Sequence, residues 1–182
     1  TASIAGPATL KAAQVIVPAD PSSAAFIVAA ATLVPGSKVL LPNVGLNPGR
    51  IAYVNVLRDM GAHITLKDLP AMGNEPVGTM VITSASELRG VTVRATDAPA
   101  LIDEVPVLAL VATQANGTTR FERIGELRVK ESDRLEAIRA GLSALGADVD
   151  AGDDWLEVRG PATLGDARLS SLADHRLAMT WV

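Results

Sequence analysis

The sequence predicts an α/β protein made of repeated units, each running helix–strand–helix–strand–strand. Three observations carry this. Residues 22–43 lie over 103–124 at a shift of 81, so that Ala31-Thr32 falls on Ala112-Thr113 and Gly36 on Gly117. Further on, LRDMGAHI (57–64) matches LSALGADV (142–149) at a shift of 85. Apolar residues make up 48% of the chain and aromatics only 3%, so the core must be Ala, Val, Leu and Ile, as in layered α/β proteins. The second copy is thus four residues longer, and the extra length falls between 124 and 142. A loop absorbs such an insertion at little entropic expense, and loops of this kind often carry function. Chance similarity between two α/β hairpins is the competing account of the repeat.

In the first copy an apolar helix spans 22–34, with Ser22 and Ser23 suited to cap it and Pro35-Gly36 to stop it. A strand at 37–42 and an amphipathic helix at 49–60, ending in Met-Gly-Ala, follow. Strands at 63–67 and 78–83 close the copy, and a further strand at 91–94 leads into the next. There the apolar helix is 104–115, with Asp103 as cap, Pro106 in its first turn and Asn116-Gly117 at its end. A strand at 118–124 precedes a helix at 133–145, whose Leu135, Ile138, Leu142 and Leu145 share one face. Strands at 147–150 and 155–158 complete this copy. From Asp174 the pattern of a first helix starts again, as the opening of a third. Helices packed inside a ring of sheets account for the nearly all-apolar first helices.

Composition removes several functions. A net charge of −4 argues against a nucleic-acid partner, since such domains usually carry a basic excess. The longest apolar run, Ala24 to Val34, is too short to span a bilayer. There is no Cys, hence no disulfide, thiolate metal site or thiol nucleophile within the chain, which is compatible with the cytoplasm. With two His and no Cys a zinc site is not expected. There is no Gly-rich nucleotide loop. The chain starts at Thr1 without Met and ends just after an apparent helix start, so both ends are expected to be cut.

Four stretches could carry chemistry, each with a plainer alternative. Asp20-Pro21-Ser22-Ser23 reads as a helix cap. Capping also accounts for Asp103 in Asp103-Glu104-Val105-Pro106, though not for a carboxylate where the other copy has Ser22. In RVKESDRL (128–135), a helical turn would make Lys130 and Arg134 neighbours at i,i+4 and Glu131 and Arg134 at i,i+3. Two cations beside free helix amides form an anion-binding corner; a solvated Glu–Arg pair is the plainer reading. Asp174-His175-Arg176 reads as a cap followed by surface residues.

Together, VPADPSSAAF (17–26), LIDEVPVLAL (101–110), LRVKESDRL (127–135) and DHRLAM (174–179) resemble, in order and spacing, the carboxy-terminal half of EPSP synthases. Ala19 departs from the Gly usual in that family. The resemblance implies the enolpyruvyl transferase fold, an inverse α/β barrel of βαβαββ units: two domains of three units each, with the active site in the cleft between them. Residues 1–14 would end the crossover from a first domain. Residues 15–182 would be part of the second, with units at about 15–98 and 99–170 and a third begun at 171–182. The first domain, holding most contacts to shikimate 3-phosphate, would be missing.

The implied reaction moves the enolpyruvyl group from phosphoenolpyruvate to the 5-hydroxyl of shikimate 3-phosphate, releasing phosphate, with no metal or organic cofactor. The resemblance makes Asp103 the base for the attacking hydroxyl and Glu131 the acid that protonates the phosphoenolpyruvate methylene. It puts Lys130 between the substrates and Arg134 and Arg176 on phosphoenolpyruvate. Both substrates are polyanions, and the Arg fork suits carboxylate and phosphate. Addition needs one proton given and another removed, which two carboxylates in separate environments can do. The chain alone is expected to be inactive. The alternatives are the sister transferase acting on UDP-N-acetylglucosamine, which fits the KESDR and DHR strings less well, and a non-catalytic packing module.

Overall fold

Proline and an acidic cap start the first helix. In the computed structural model, which describes residues 3–72 and 75–182, α1 (Pro21–Leu33) begins with Pro at its first position. Residues 1 and 2 of the expected crossover segment lie outside the described residues. The cap is Asp20, whose carboxylate accepts from the Ser22 and Ser23 amides. The serines expected to cap are instead the second and third helical residues, and Ser23 Oγ donates to the same carboxylate at 2.9 Å. An Asp just before the helix reaches those two free amides directly.

β1 (Lys38–Gly45) runs three residues further than its expected end. A bulge between Leu41 and Val44, with Asn43 at φ 56°, carries the ladder past Pro42. α2 (Ala52–Met60) follows, then β2 (His63–Met72) and β3 (Glu75–Thr83), which are antiparallel. The second copy contains β4 (Thr92–Val93), α3 (Val105–Ala112), β5 (Gly117–Phe121), α4 (Arg134–Ala144), β6 (Asp148–Ala151) and β7 (Leu156–Gly160). α5 (His175–Thr180) comes last.

The repeat holds in space. One sheet has the order β1-β3-β2, with Ala19 bridged in parallel to Val44 of β1. The other has the order β4-β5-β7-β6, with β4 parallel to β5. Each therefore begins with a parallel pairing (a single bridge at Ala19 in the first copy, β4 in the second), followed by a helical crossover to the paired strand, a second helix and a hairpin: βαβαββ. The glycines agree. Gly36 and Gly117, 81 residues apart, have φ of 79° and 93°; Gly61 and Gly146, 85 apart, have φ of 110° and 93° after the second helix of each copy. Only a residue without a Cβ ends a helix this way cheaply.

α3 packs against α1, α4 and α5, and its apolar residues are buried almost all round. α1 is less enclosed than expected: Ile27, and Val34 just past its end, are about half exposed. On α4, Leu135, Ile138 and Leu142 are fully buried, while Leu145, already past the helix end, is partly exposed. Residues 3–17 form no helix or strand and lie exposed. No helix among the described residues is long and apolar enough to cross a membrane.

Candidate functional site

The site is assembled where helices begin. Each of α1, α3, α4 and α5 starts with acidic or basic residues, and hydrogen bonds join those starts into one network. The positive dipole ends of α1, α3 and α4 make such a place favourable to anions.

At its centre is Arg134, the first residue of α4. Its side chain is only 1% exposed. Nε donates to Asp174 Oδ2 at 2.7 Å and Nη2 to Asp174 Oδ1 at 3.2 Å. Nη1 donates to Asp103 at 3.0 Å, and Nη2 also to Glu131 at 2.6 Å. One guanidinium thus ties together the start of α3, the loop before α4 and the start of α5. Burial opposes the Arg134 charge, but the bond to Asp174 and the nearby carboxylates hold its pKa above the usual arginine value.

Asp174, read from sequence only as a cap, is a hub. Besides Arg134 it accepts from Ser132 Oγ at 3.0 Å and from the Arg176 amide at 2.9 Å. Burial pushes its pKa up, yet the bonds from Arg134, Arg176 and Ser132 outweigh this and hold it below the ordinary carboxylate value.

The turn at 125–133 differs from expectation. Residues 125–129 form a 3-10 turn, Lys130 is extended, and α4 starts only at Arg134, behind an Asp133 cap. Lys130 therefore faces Arg134 not as an i,i+4 neighbour but across Asp103. Its Nζ lies 2.7 Å from Glu126 and 3.6 Å from Asp103. The bond to Glu126, ahead of the charge on Asp103, raises its pKa. Arg128 anchors the turn through the Gly152 and Asp153 carbonyls and Asp133. The Glu131–Arg134 contact at i,i+3 is present as expected.

Asp103 does not cap α3. It sits in a 3-10 turn (Ile102–Glu104) with its carboxylate on Arg134 and near Lys130. This supplies the reason for an acid where the first copy has Ser22. Arg176 reaches Glu104 at 3.4 Å, and Glu104 accepts from Ser22 at 2.6 Å. Arg50 bonds Asp20 at 3.0 Å and Ser22 at 3.2 Å. Ser22, Glu104 and Ser132 lie in the stretches singled out from sequence, Ser22 only as a helix cap and the other two without a role; Arg50 lies outside them. Lys130, Arg134 and Arg176 are the cations; Asp103 and Glu131, 41% and 56% exposed, are the accessible acids. Such a corner can hold an anion while an acid and a base act beside it.

Comparison with known proteins gives the family and the fold. The family model for EPSP synthase (3-phosphoshikimate 1-carboxyvinyltransferase) matches residues 1–182. A 3-phosphoshikimate 1-carboxyvinyltransferase of Rhodospirillum rubrum is 48% identical over 184 residues, covering 100% of this chain and 41% of that protein. One from Synechocystis is 49% identical over 174 residues, covering 96% and 39%. The chain spans about two fifths of the length of the curated relatives it matches. Among solved structures, EPSP synthase from Acinetobacter baumannii superposes with a TM-score of 0.86 at 35% identity, covering 92% of this chain and 39% of that one. The enolpyruvyl transferase NikO from Streptomyces tendae, at 20% identity and a TM-score of 0.58 over 88% and 35% of the two chains, shares the fold.

Proposed function

The chain belongs to the EPSP synthase family, and from that premise we propose that it supplies half of a site for enolpyruvyl transfer from phosphoenolpyruvate to the 5-hydroxyl of shikimate 3-phosphate. In this reading residues 1–14 end a crossover from a first domain. Residues 15–98 and 99–170 are complete units, and 171–182 opens a third. The first domain is the partner that closes the cleft, and the reaction belongs in the cytoplasm.

The observation that carries the reading is the meeting of Asp103, Lys130 and Glu131 around one buried arginine. Asp103 takes the proton of the attacking hydroxyl as its oxygen bonds to the enol carbon. Glu131 gives a proton to the methylene carbon. Phosphate then leaves and a proton is returned from the methyl carbon, restoring the double bond. Lys130, against Asp103, neutralises charge between the substrates. Arg176 takes the carboxylate or phosphate of phosphoenolpyruvate. Arg134 already makes four hydrogen bonds. Its reach towards phosphoenolpyruvate therefore depends on release of Glu131, which becomes a weaker partner once it carries the proton it is to donate.

Titration with phosphoenolpyruvate, followed by amide NMR, tests the reading. Signals at 128–136 and 174–178 should move, with a Kd of about 1 mM or weaker because closure contacts are absent. The shifts should shrink at high salt. Shifts confined to other regions would count against the assignment.

A further inference from the structure

Glu104 has no step in the proposed reaction, yet it is a buried carboxylate, 3% exposed, at the start of α3. It makes no side-chain cap to that helix. Its Oε1 instead accepts from Ser22 Oγ of the first unit at 2.6 Å and from Arg176 Nη1 beyond the second unit at 3.4 Å. Ser22 is itself fixed by Arg50. Among the described residues, Glu104 is the one side chain bonded to the Arg176 guanidinium. Burial raises the Glu104 pKa in spite of Ser22 and Arg176, so the carboxylate is under-compensated where it stands. An apolar side chain would fill the space more cheaply. What the carboxylate adds is a fixed direction for Arg176.

We infer that Glu104 is the positioning residue for Arg176: held by Ser22, it keeps the guanidinium at the anion corner, so all three units meet on one oxygen. The inference rests on the reading of Arg176 as a phosphoenolpyruvate-binding group. Two other roles are conceivable for a buried acid, and they leave different traces. A carboxylate that only opposes the anion weakens binding through its charge. One that only packs affects stability.

The test compares the chain with its Glu104→Ala and Glu104→Gln variants. The readouts are Arg176 side-chain Nε–H mobility by NMR, assigned with Arg176→Lys, and phosphoenolpyruvate affinity. Gln keeps the shape and an acceptor for Ser22 and Arg176; Ala keeps neither. With positioning, Ala frees the Arg176 side chain and weakens phosphoenolpyruvate binding about tenfold, within the rotamer freedom an unanchored Arg regains. Gln leaves Arg176 ordered and affinity equal to wild type or tighter. Equal Arg176 mobility in all three proteins overturns the inference, and so does tighter binding in both variants. If wild type does not bind phosphoenolpyruvate but Ala still frees Arg176, the functional reading fails while the positioning contact stands. Should the Ala variant not fold, Ser22→Ala takes its place. It removes the bond holding Glu104, together with an acceptor for Arg50, and must loosen Arg176 in the same direction.

Discussion

Arg134 and Asp174 are each almost wholly buried, and neither would tolerate that place without the other. An arginine cannot give up its proton to escape a buried site, so its carboxylates are structural necessities whatever else they do. Asp174→Asn retains one acceptor but removes the charge that meets Nε and Nη2. It should destabilise the chain by roughly 3 kcal/mol, at the lower end for breaking a buried pair, measured by urea denaturation at pH 7. A loss below 0.5 kcal/mol would mean that Asp103 and Glu131 alone compensate Arg134. The pH dependence separates Asp174 from Glu104, because their pKa values move in opposite directions. Asp174 is depressed in the folded chain, so its contribution is present above the unfolded carboxylate value and is lost as pH falls through the folded one. Glu104 is raised, so its contribution is present below the unfolded value and is lost as pH rises through the folded one. Glu104→Gln should therefore flatten the decline of stability on the neutral side, and be at least as stable as wild type at pH 7. Asp174→Asn should flatten the acid side instead. A Gln variant less stable than wild type at pH 7, with an unchanged profile, would refute the Glu104 assignment.

At the scale of elements, a close backbone approach holds β7 against the end of α3 within the second unit. A Cβ at Gly160, at the end of β7, would lie 2.5 Å from the Ala115 carbonyl oxygen and 2.8 Å from that of Thr113. Gly160→Ala must push β7 away from the end of α3. It should destabilise by about 2 kcal/mol, in the range of overpacking in a tight interior, with loss of hydrogen-exchange protection in β5 and β7 first. Uniform loss of protection across both sheets would show that the units do not respond separately. Much of this architecture was legible in the sequence, because local chemistry wrote it: apolar helices ending in Pro-Gly or Asn-Gly, and Gly-Ala pairs 85 residues apart. The strand ends were less so, since the bulge at Asn43 depends on pairing with β3. The candidate site was legible as a set of motifs but not as a network. Arg134 in a charged string looks solvated until α3 and α5 close over it. Glu104, beside Asp103 and first in an apolar helix, is given no role by its neighbours along the chain. Burial of a charge depends on what other segments bring to it, and neighbours along the chain do not report that.

For the molecule as a whole, charge distribution and openness pull in different directions. The chain carries a net charge of −4, yet Lys130, Arg134 and Arg176 gather at helix starts, so an anion is attracted locally despite the total. On the proposed reading this attraction suffices for weak binding and not for chemistry. Asp103 and Glu131 stand 41% and 56% exposed, where water screens their fields and competes for their protons. Charge interactions gain several-fold in strength once water is shut out. On the proposed reading that closure comes from a first domain, which matches the chain's span of about two fifths of its relatives. The chain given phosphoenolpyruvate and shikimate 3-phosphate should therefore release no phosphate above a Glu131→Gln control. Adding the remaining portions of the Rhodospirillum rubrum relative, as a separate or fused chain, should restore release, and Glu131→Gln should abolish it again. Silence in the first experiment alone would suit any inactive protein; the second makes it informative. Release by the isolated chain would show that these residues form a complete site without closure. A well-folded fused protein that binds both substrates but stays inactive would place the acid and base elsewhere.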